Sequence, residues 1–253
     1  MEMLKMEKFL AGKRALVTGG SQGIGRVICL ELGKAGCEVA VNCAHHRENA
    51  EKVAAEIRAA GGKAFACPCD VTDENAVKAM FAELGTVDIL VNNARLDPWL
   101  RNDSVTDGDW FSKVLDVNLK GAYLCSMEFF HRACERGYGR IINISSVRAY
   151  RPAELHTIAY GASKAGMHVL ARSLADSGAP YNVTANCVCP GMIATENIDK
   201  RLSPEKKAME MAAIPAKRAG TSEEVADAVL FLIRNGYVNG AMINVSGGMY
   251  YEA

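Results

Sequence analysis

Residues Arg14 to Gly25 read Arg-Ala-Leu-Val-Thr-Gly-Gly-Ser-Gln-Gly-Ile-Gly. The apolar run at the start of this stretch predicts a buried strand that ends in glycines. The apolar positions from Ile24 to Leu32 then fit one face of a helix, and Gly36 ends it. Glycines between a strand and a helix let the backbone turn tightly and approach a pyrophosphate, which the free N–H groups of the helix attract. The stretch therefore predicts a nucleotide-binding turn at the start of the fold.

Strand and helix patterns alternate through the rest of the chain. After the first strand, strands are predicted at 38–43, 64–69, 87–92, 140–145, 183–188 and 241–245. Helices are predicted at 47–60, 74–84, 110–135, 159–177 and 223–233. Strands that alternate with helices predict an α/β fold with a doubly wound parallel sheet. Because no repeat, linker or change of composition divides the chain, we expect a single Rossmann-type domain over residues 1–253.

Composition excludes several classes of protein. The 253 residues carry 29 basic and 29 acidic side chains, so the net charge is zero. That balance argues against a nucleic-acid-binding surface and against a polybasic membrane anchor. No apolar run approaches the roughly 18 residues of a membrane span, and the N-terminus lacks a signal-peptide core. We expect a cytoplasmic protein without nucleic-acid or membrane partners.

The nine cysteines allow two interpretations. Their odd number, in a long chain without an export signal, argues against a disulfide framework. The pairs Cys67 with Cys69 and Cys187 with Cys189 are two Cys-x-Cys motifs, and four thiols can hold zinc. Alternatively, each pair lies on one face of a buried strand, where cysteine behaves as a small hydrophobic residue.

Tyr160 and Lys164 are four residues apart in a predicted helix, so they share one face of it. A cation near a phenol favours the phenolate and lowers the tyrosine pKa from its ordinary value of about 10. General acid–base catalysis needs a pKa close to the working pH. The same spacing also occurs by chance on solvated helix faces, so the pair acquires meaning only from the motifs around it.

The glycine spacing, Gly19 then Gly23 then Gly25, differs from the usual Rossmann G-x-G-x-x-G. It resembles the T-G-x-x-x-G-x-G of the short-chain dehydrogenases/reductases. The further motifs that match this family, in its order, are Asp70 in Cys-Asp-Val, Asn92-Asn93-Ala94, Asn118 in Val-Asn-Leu, Asn143-Ile-Ser-Ser146, Tyr160 to Lys164, and Pro190-Gly191-Met-Ile-Ala-Thr195. The likeness runs from about Leu10 to Gly248, and the chain is identified as a member of the family.

This resemblance implies an enzyme that reversibly reduces a ketone to a secondary alcohol by hydride transfer, using a nicotinamide cofactor and no metal. Tyr160 would give its proton to the carbonyl oxygen, and Ser146 would hydrogen-bond that oxygen. Lys164 would lower the tyrosine pKa and hold the nicotinamide ribose. Asn118 would support a water that links Lys164 to solvent. Without the resemblance, Ser146 would be read as a turn residue and Asn118 as a helix cap.

The family's strand order, 3-2-1-4-5-6-7, bears on the cysteines. It places Cys67 and Cys69 on strand three, at one edge of the sheet. Cys187 and Cys189 belong to strand six, across the sheet. The resemblance therefore implies that the two pairs do not meet, and we expect no zinc site.

The cofactor-binding residues implied by the resemblance follow the ends of the strands. They are Gly19, Ser21, Gln22, Gly23, Ile24, Gly25, Cys43, Ala44, His45, Arg47, Asp70, Val71, Asn92, Ala94, Tyr160, Lys164, Pro190, Gly191, Ile193 and Thr195.

The residues after strand two bear on the choice between NADP(H) and NAD(H). Cys43 stands where NAD-preferring relatives tend to carry the aspartate that binds the ribose hydroxyls. Arg47 and two histidines nearby suit a phosphate instead. Against this, Gln22 stands where many NADP-preferring relatives carry arginine, and Arg47 can simply begin a solvated helix. We expect NADP(H), with NAD(H) as the alternative.

Three departures from the family pattern lie near the substrate. Arg95 replaces the last glycine of Asn-Asn-Ala-Gly, and its side chain can point to the substrate, to a cofactor phosphate or into solvent. Ser146 and Tyr160 are fourteen residues apart, which implies one extra residue in the loop between them. Ala149 replaces a common glycine. We expect residues 148–158 to form an unusually shaped pocket wall.

The substrate is expected to contact a largely apolar set of side chains, closed by a lid around residues 192–215. The set consists of Arg95, Leu96, Trp99, Ser146, Tyr150, Leu155 and Met192. Such a lining favours a hydrophobic or cyclic carbonyl compound. The same residues can instead be core or oligomer contacts, and Trp99 is the plainest example.

Three further expectations follow from the resemblance. The general likeness is greatest to 3-oxoacyl-[acyl-carrier-protein] reductases, visible around Val41 and at Ile214-Pro-Ala-Lys-Arg-Ala-Gly. Those enzymes dock an acidic carrier protein. Arg132 and Arg136 can serve as cations for this docking, but residues 175–181 offer no cation.

A non-catalytic cofactor sensor is the other alternative, which the intact catalytic motifs disfavour. Relatives commonly assemble through the two long helices and the last strand, so a homodimer or homotetramer is expected.

Overall fold

A computed structural model describes residues 8–102, 104–151, 154–196 and 202–250. Seven parallel strands form one sheet in the order β3-β2-β1-β4-β5-β6-β7. The strands are β1 (Arg14–Val17), β2 (Glu38–Cys43), β3 (Lys63–Pro68), β4 (Ile89–Asn92), β5 (Gly139–Ile144), β6 (Val183–Pro190) and β7 (Met242–Val245). β1 pairs with both β2 and β4, so the order of the strands reverses between β1 and β4. The predicted fold class and strand order are confirmed.

Helices cover both faces of the sheet. They are α1 (Gly23–Lys34), α2 (Arg47–Ala59), α3 (Glu74–Leu84), α4 (Asp107–Leu115), α5 (Gly121–Arg136), α6 (Ile158–Gly178), α7 (Pro204–Ala213) and α8 (Ser222–Arg234). One apolar core lies under α1, α2 and α8, and the other under α3, α5 and α6. Because both faces are buried, the central strands are almost continuously apolar, which is why their positions were readable from sequence.

The helix predicted over 110–135 is interrupted. A π-helical turn at Asp116–Lys120 separates α4 from α5. Asn118 lies fully buried in this turn. Its Oδ1 accepts a hydrogen bond from the Leu96 N–H at 2.6 Å, and its Nδ2 donates to Ser163 Oγ at 3.1 Å. Helical periodicity does not reveal the extra residue in this turn, because contacts with distant segments stabilise it.

The strand order separates the two cysteine pairs. Cys67 lies on β3, at the edge of the sheet, with Cys69 just beyond it, whereas Cys187 and Cys189 lie on β6. All four side chains are buried. In the part of the chain that the structure describes, no group of three or more potential ligands is placed to hold a metal ion.

None of the helices in the described ranges is both long and apolar enough to span a lipid bilayer.

Candidate active site

A cavity of about 530 Å³ opens at the carboxyl ends of the strands. It lies where the strand order reverses, the position at which open α/β sheets bind their ligands. The predicted site residues that line it are Gly19, Ser21, Gln22, Gly23, Ile24, Gly25, Cys43, Ala44, His45, Asp70, Val71, Ala94, Arg95, Leu96, Trp99, Ser146, Tyr160, Lys164, Pro190, Gly191, Met192, Ile193 and Thr195.

The glycine loop shapes one end of the cavity. Gly19 and Gly23 have φ values of +61° and +54°, a region that favours glycine. A Cβ on Gly25 would collide with the side-chain amide of Asn93 and the carbonyl of Gly19. Gln22 precedes α1 without a capping hydrogen bond from its side chain, so the first N–H groups of the helix remain available. This cradle fits the pyrophosphate of a dinucleotide.

The two asparagines at the end of β4 have different surroundings, because successive side chains of a strand point to opposite faces. Asn92 is buried under the cavity floor, where its Nδ2 donates to Asn143 Oδ1 at 2.8 Å. Unlike the other residues predicted for the cofactor site around it, Asn92 does not line the cavity. Asn93 does line it, and its Nδ2 donates to the carbonyls of Thr18 and Gly19 at 2.9 Å each. Strand alternation was the signal that would have selected Asn93.

At the end of the cavity shaped by the glycine loop, the opposite wall is formed by the end of β2 and the residues that follow it. Cys43 lines the cavity together with the exposed His45 and His46. Arg47 begins α2, is exposed and does not line the cavity. Burial raises the pKa of the Cys43 thiol, and the nearby Arg47 charge partly opposes that rise. Arg47 thus lies beside the predicted phosphate position.

The phenol of Tyr160 lies at the other end of the cavity, on α6. The Lys164 Nζ is 5.7 Å from the centre of the Tyr160 ring. Burial raises the pKa of Tyr160, while Arg95, a hydrogen bond with Ser146 and Arg148 oppose that rise. From the sequence alone, Lys164 is expected to lower this pKa. In the structure burial dominates, and the opposing cations are the two arginines.

Lys164 is itself buried, with 1% of its surface exposed. Its Nζ donates to the Ile144 carbonyl at 2.7 Å. Burial lowers the pKa of Lys164 to about 7, and the Arg95 charge adds to the effect. Near neutral pH the amine is therefore present in both its charged and its neutral form, as a proton-transfer group requires.

Ser146 is oriented by the turn that follows it. It precedes a 3-10 turn at Val147–Ala149, and its Oγ accepts a hydrogen bond from the Arg148 N–H at 3.1 Å. Because the oxygen accepts this bond, the hydroxyl hydrogen is free to be donated into the cavity. Ser146 can thus donate to a substrate oxygen that lies beside the Tyr160 phenol.

Asn118 does not line the cavity. Its side chain binds the backbone of Leu96 and the hydroxyl of Ser163, the residue before Lys164. Asn118 therefore connects two walls of the site, and both polar ends of its side chain already have partners. A relay water would depend on its backbone rather than on its side chain.

Tyr150 and Leu155 were expected to contact substrate, but the structure brings neither to the cavity. Tyr150 packs on His168, with ring centres 4.8 Å apart, and stacks on Tyr250 at 4.4 Å. Leu155 lies in a 3-10 turn with 87% of its surface exposed. The loop between Ser146 and Tyr160 directs both side chains away from the reacting end.

Several residues that line the cavity were not assigned to the site from sequence. They are Asn42, His46, Cys69, Thr72, Asn93, Asp97, Val117, Ile144, Ser145, Val147, Arg148, Glu210 and Met249. Met249 comes from the C-terminal segment, and its Sδ accepts a hydrogen bond from the Met192 N–H at 3.4 Å. No local pattern marks this contact, because it joins segments far apart in sequence.

Comparison with known proteins bears on this geometry. Residues 13–206 match the family model described as short chain dehydrogenase. The chain is 39% identical over 246 residues to a 3-oxoacyl-[acyl-carrier-protein] reductase FabG of Staphylococcus aureus, covering 94% of the chain and 98% of that protein. It is 38% identical over 245 residues to an acetoacetyl-CoA reductase of Rhizobium meliloti, covering 94% and 98%. A Brucella melitensis 3-oxoacyl-[acyl-carrier protein] reductase structure with bound NAD aligns with a TM-score of 0.89 at 28% identity, covering 100% and 99%.

Proposed function

This chain belongs to the short-chain dehydrogenase family, and on that premise we propose that it reversibly reduces a ketone to a secondary alcohol with NADP(H). The observation that carries the proposal is the constellation at one end of the cavity. The Tyr160 phenol, the Ser146 hydroxyl that hydrogen-bonds it and the buried Lys164 amine all line the cavity there. The opposite end is the glycine cradle, which fits a dinucleotide.

Each polar residue of the site has a separate part in the proton transfer that accompanies reduction of the ketone. Bound nicotinamide would supply the hydride to the carbonyl carbon in reduction and accept it in oxidation. As negative charge develops on the carbonyl oxygen, Ser146 donates a hydrogen bond to it. Tyr160 transfers its phenolic proton to the same oxygen, which completes the alcohol. Lys164, with a pKa of about 7, is placed to return a proton towards the phenolate at neutral pH.

Substitution of Tyr160 by Phe tests this mechanism. Phe keeps the ring that packs with Trp110 and Ala159 but removes the acid. We expect a ketone panel assayed with NADPH to show a loss in kcat of about a hundredfold to ten-thousandfold. Activity that survives the substitution would refute the role of Tyr160. Absence of activity in both proteins, with cofactor binding retained, would favour a cofactor sensor.

NADP(H) is the proposed cofactor because the end of β2 carries no carboxylate. Cys43 occupies the wall, and His45, His46 and the neighbouring Arg47 offer positive charge or hydrogen-bond donors to a 2′-phosphate. Initial rates with NADPH and NADH at equal concentration test this preference. We expect Cys43→Asp to shift the ratio of the two kcat/KM values towards NADH by about tenfold. A clear NADH preference in the unaltered protein would contradict the proposal.

The apolar part of the lining supports a hydrophobic or cyclic carbonyl substrate. Leu96, Trp99, Met192 and Met249 form this part, and the lid helix α7 faces it through Glu210. A second candidate is reduction of a 3-oxoacyl thioester, which the identity to the named Staphylococcus and Rhizobium reductases favours. A panel that includes cyclic ketones and acetoacetyl-CoA separates the two candidates.

We also propose that a second copy of the chain covers the apolar groove between α5 and α6. The groove is lined by Tyr123, Met127, Phe130, Val169 and Leu170. Tyr123 is 49% exposed and Val169 is 65% exposed, which is costly for large apolar side chains in water. The groove lies between α5 and α6, the two long helices through which assembly is expected from the family resemblance.

A further inference from the structure

Charged side chains gather around the reacting end of the cavity. Arg95, Asp97 and Arg148 all line it there. All three also act on the Tyr160 phenol: Arg95 and Arg148 lower its pKa, whereas Asp97 raises it. Glu210 of the lid lines the cavity too but is not among the groups that act on the phenol. Positive charge therefore prevails where the carbonyl group would lie.

The two arginines differ in how they are paired. Arg95 forms a 2.8 Å ion pair with Asp97. Asp97 is also held in place, because its Oδ1 caps a 3-10 turn by accepting the Trp99 N–H at 3.2 Å. Arg148 is half-buried, and within the described ranges its guanidinium has neither a hydrogen-bond acceptor nor a carboxylate partner. A guanidinium drawn partly out of water without a partner is a ready site for an anion.

The position of Arg148 points to the substrate rather than to the cofactor phosphates. It follows β5, two residues after Ser146, and so lies at the end where the ketone is bound. The cradle for the pyrophosphate is formed by the loop between β1 and α1, at the other end. An anion held by Arg148 would therefore lie close to the carbonyl group.

We propose that Arg148, together with Arg95, binds a carboxylate of the substrate, so that the preferred substrates are 2- or 3-oxo acids rather than neutral ketones. This inference rests on the proposed ketone reduction and specifies its substrate class. The apolar side chains Leu96, Trp99, Met192 and Met249 then contact the body of the acid. A guanidinium forks two N–H donors towards a carboxylate, a geometry that a neutral ketone cannot use.

The test compares each oxo acid with its methyl ester, using NADPH at pH 7. Benzoylformate and methyl benzoylformate form the aromatic pair, and acetoacetate and methyl acetoacetate form the small pair. The readout is the ratio of kcat/KM for the acid to that for the ester. Within one variant this ratio cancels changes in the Tyr160 pKa and in cofactor binding. We expect a ratio of about ten or more in the unaltered protein, the increment of a hydrogen bond to a charged group.

Substitutions then show which residues give the preference for the acid over its ester. Arg148→Gln is expected to lower the ratio by about tenfold or more, and Arg95→Gln by less, because Arg95 already pairs with Asp97. Asp97→Asn retains the acceptor that caps Trp99 but frees Arg95, so it should raise the ratio. Arg101→Gln is the matched control, since Arg101 pairs with Asp107 outside the cavity, and it should leave the ratio unchanged.

Two outcomes would overturn the inference. One is a ratio at or below one for both pairs in the unaltered protein; the other is an unchanged ratio in Arg148→Gln. If the esters are still reduced in a Tyr160-dependent way, the proposed function stands and only the preference for oxo acids falls. Should Arg148→Gln fail to fold, the unaltered protein and Asp97→Asn decide the question.

Discussion

At the scale of single residues, the chemistry of the cavity depends on two ionisable groups, the half-buried Tyr160 and the buried Lys164. Burial opposes the charged form of both, so it raises the pKa of the phenol and lowers that of the amine. Arg95 acts in the same direction on both groups, lowering each pKa, because a positive charge disfavours an ammonium and favours a phenolate. Arg95, which stands where the family pattern has glycine, therefore changes the pKa values of Tyr160 and Lys164, although the Tyr-x-x-x-Lys motif itself is intact.

The buried Lys164 makes stability depend on pH. Its pKa falls from 10.5 to about 7, so between these values the unfolded chain binds a proton that the folded chain has lost. The free energy of unfolding therefore rises with pH in that window, and below about pH 7 the cost of the buried charge is present in full. Relative to the unaltered protein, Lys164→Met should be stabilised at pH 7 by on the order of a few kcal/mol, and less so at pH 10.

Denaturant unfolding at pH 6, 8 and 10 measures this difference. Lys113→Met, at an exposed position of α4, is the matched control and should show no such dependence. A difference between Lys164→Met and the unaltered protein that does not vary with pH would contradict the expectation.

Arg95 should tune the pH dependence of alcohol oxidation. In that direction Tyr160 must be a phenolate, and Arg95 is the strongest of the groups that lower its raised pKa. Arg95→Gln should therefore move the inflection of kcat/KM for oxidation to higher pH. A profile from pH 7 to 10.5 with NADP⁺ measures the shift. An inflection that stays in place, or that moves by as much in Arg101→Gln, would count against the proposed link.

At the scale of elements, the π-helical turn between α4 and α5 connects the two walls of the site. It buries Asn118, which holds the Leu96 backbone beside Arg95 and the Ser163 hydroxyl beside Lys164. Single-turn π-helices are frequent at functional sites, where they redirect a side chain or a carbonyl. Here the turn allows one amide to position both a loop and a helix.

Asn118→Ala should therefore affect stability and activity together. It leaves the Leu96 N–H without its acceptor, so we expect the free energy of unfolding to fall by about 1–3 kcal/mol. The walls that carry Arg95 and Lys164 are then released, so kcat should fall more than the KM for NADPH rises. Urea denaturation and steady-state kinetics measure both effects. A loss of stability with unchanged kcat would indicate a purely structural role.

At the scale of the whole molecule, the parallel sheet brings all strand ends to one edge, and the cavity forms there. A second feature at this scale is the apolar groove on α5 and α6. If a second copy covers it, Val169→Asp places a charge in a desolvated interface, which is strongly unfavourable. We expect this substitution to lower the molar mass in solution, measured by size-exclusion chromatography with light scattering. Leu155→Asp, at an 87% exposed position elsewhere, should leave the mass unchanged; a monomeric unaltered protein would exclude the proposed assembly.

The sequence by itself determined the positions of the strands, the glycine turn and the family, and the resemblance to that family implied the strand order. The first three depend on local causes: apolar periodicity in buried strands, the positive φ angles of Gly19 and Gly23, and motifs of fixed spacing. The spacing of four residues also placed Tyr160 and Lys164 on one face of the predicted helix. Such causes act over a few residues, so they can be recognised in the sequence of a single chain.

Tertiary structure alone decided the direction of the Tyr160 pKa shift and which side chains line the substrate end of the cavity. Burial raises the Tyr160 pKa against the sequence expectation, and the cations that oppose it come from loops after β4 and β5. Packing against Tyr250 turns Tyr150 away from the cavity, while Met249 enters it from the C-terminal segment. Desolvation and charge act through space between segments distant in sequence, so they exist only once the sheet has brought those segments together.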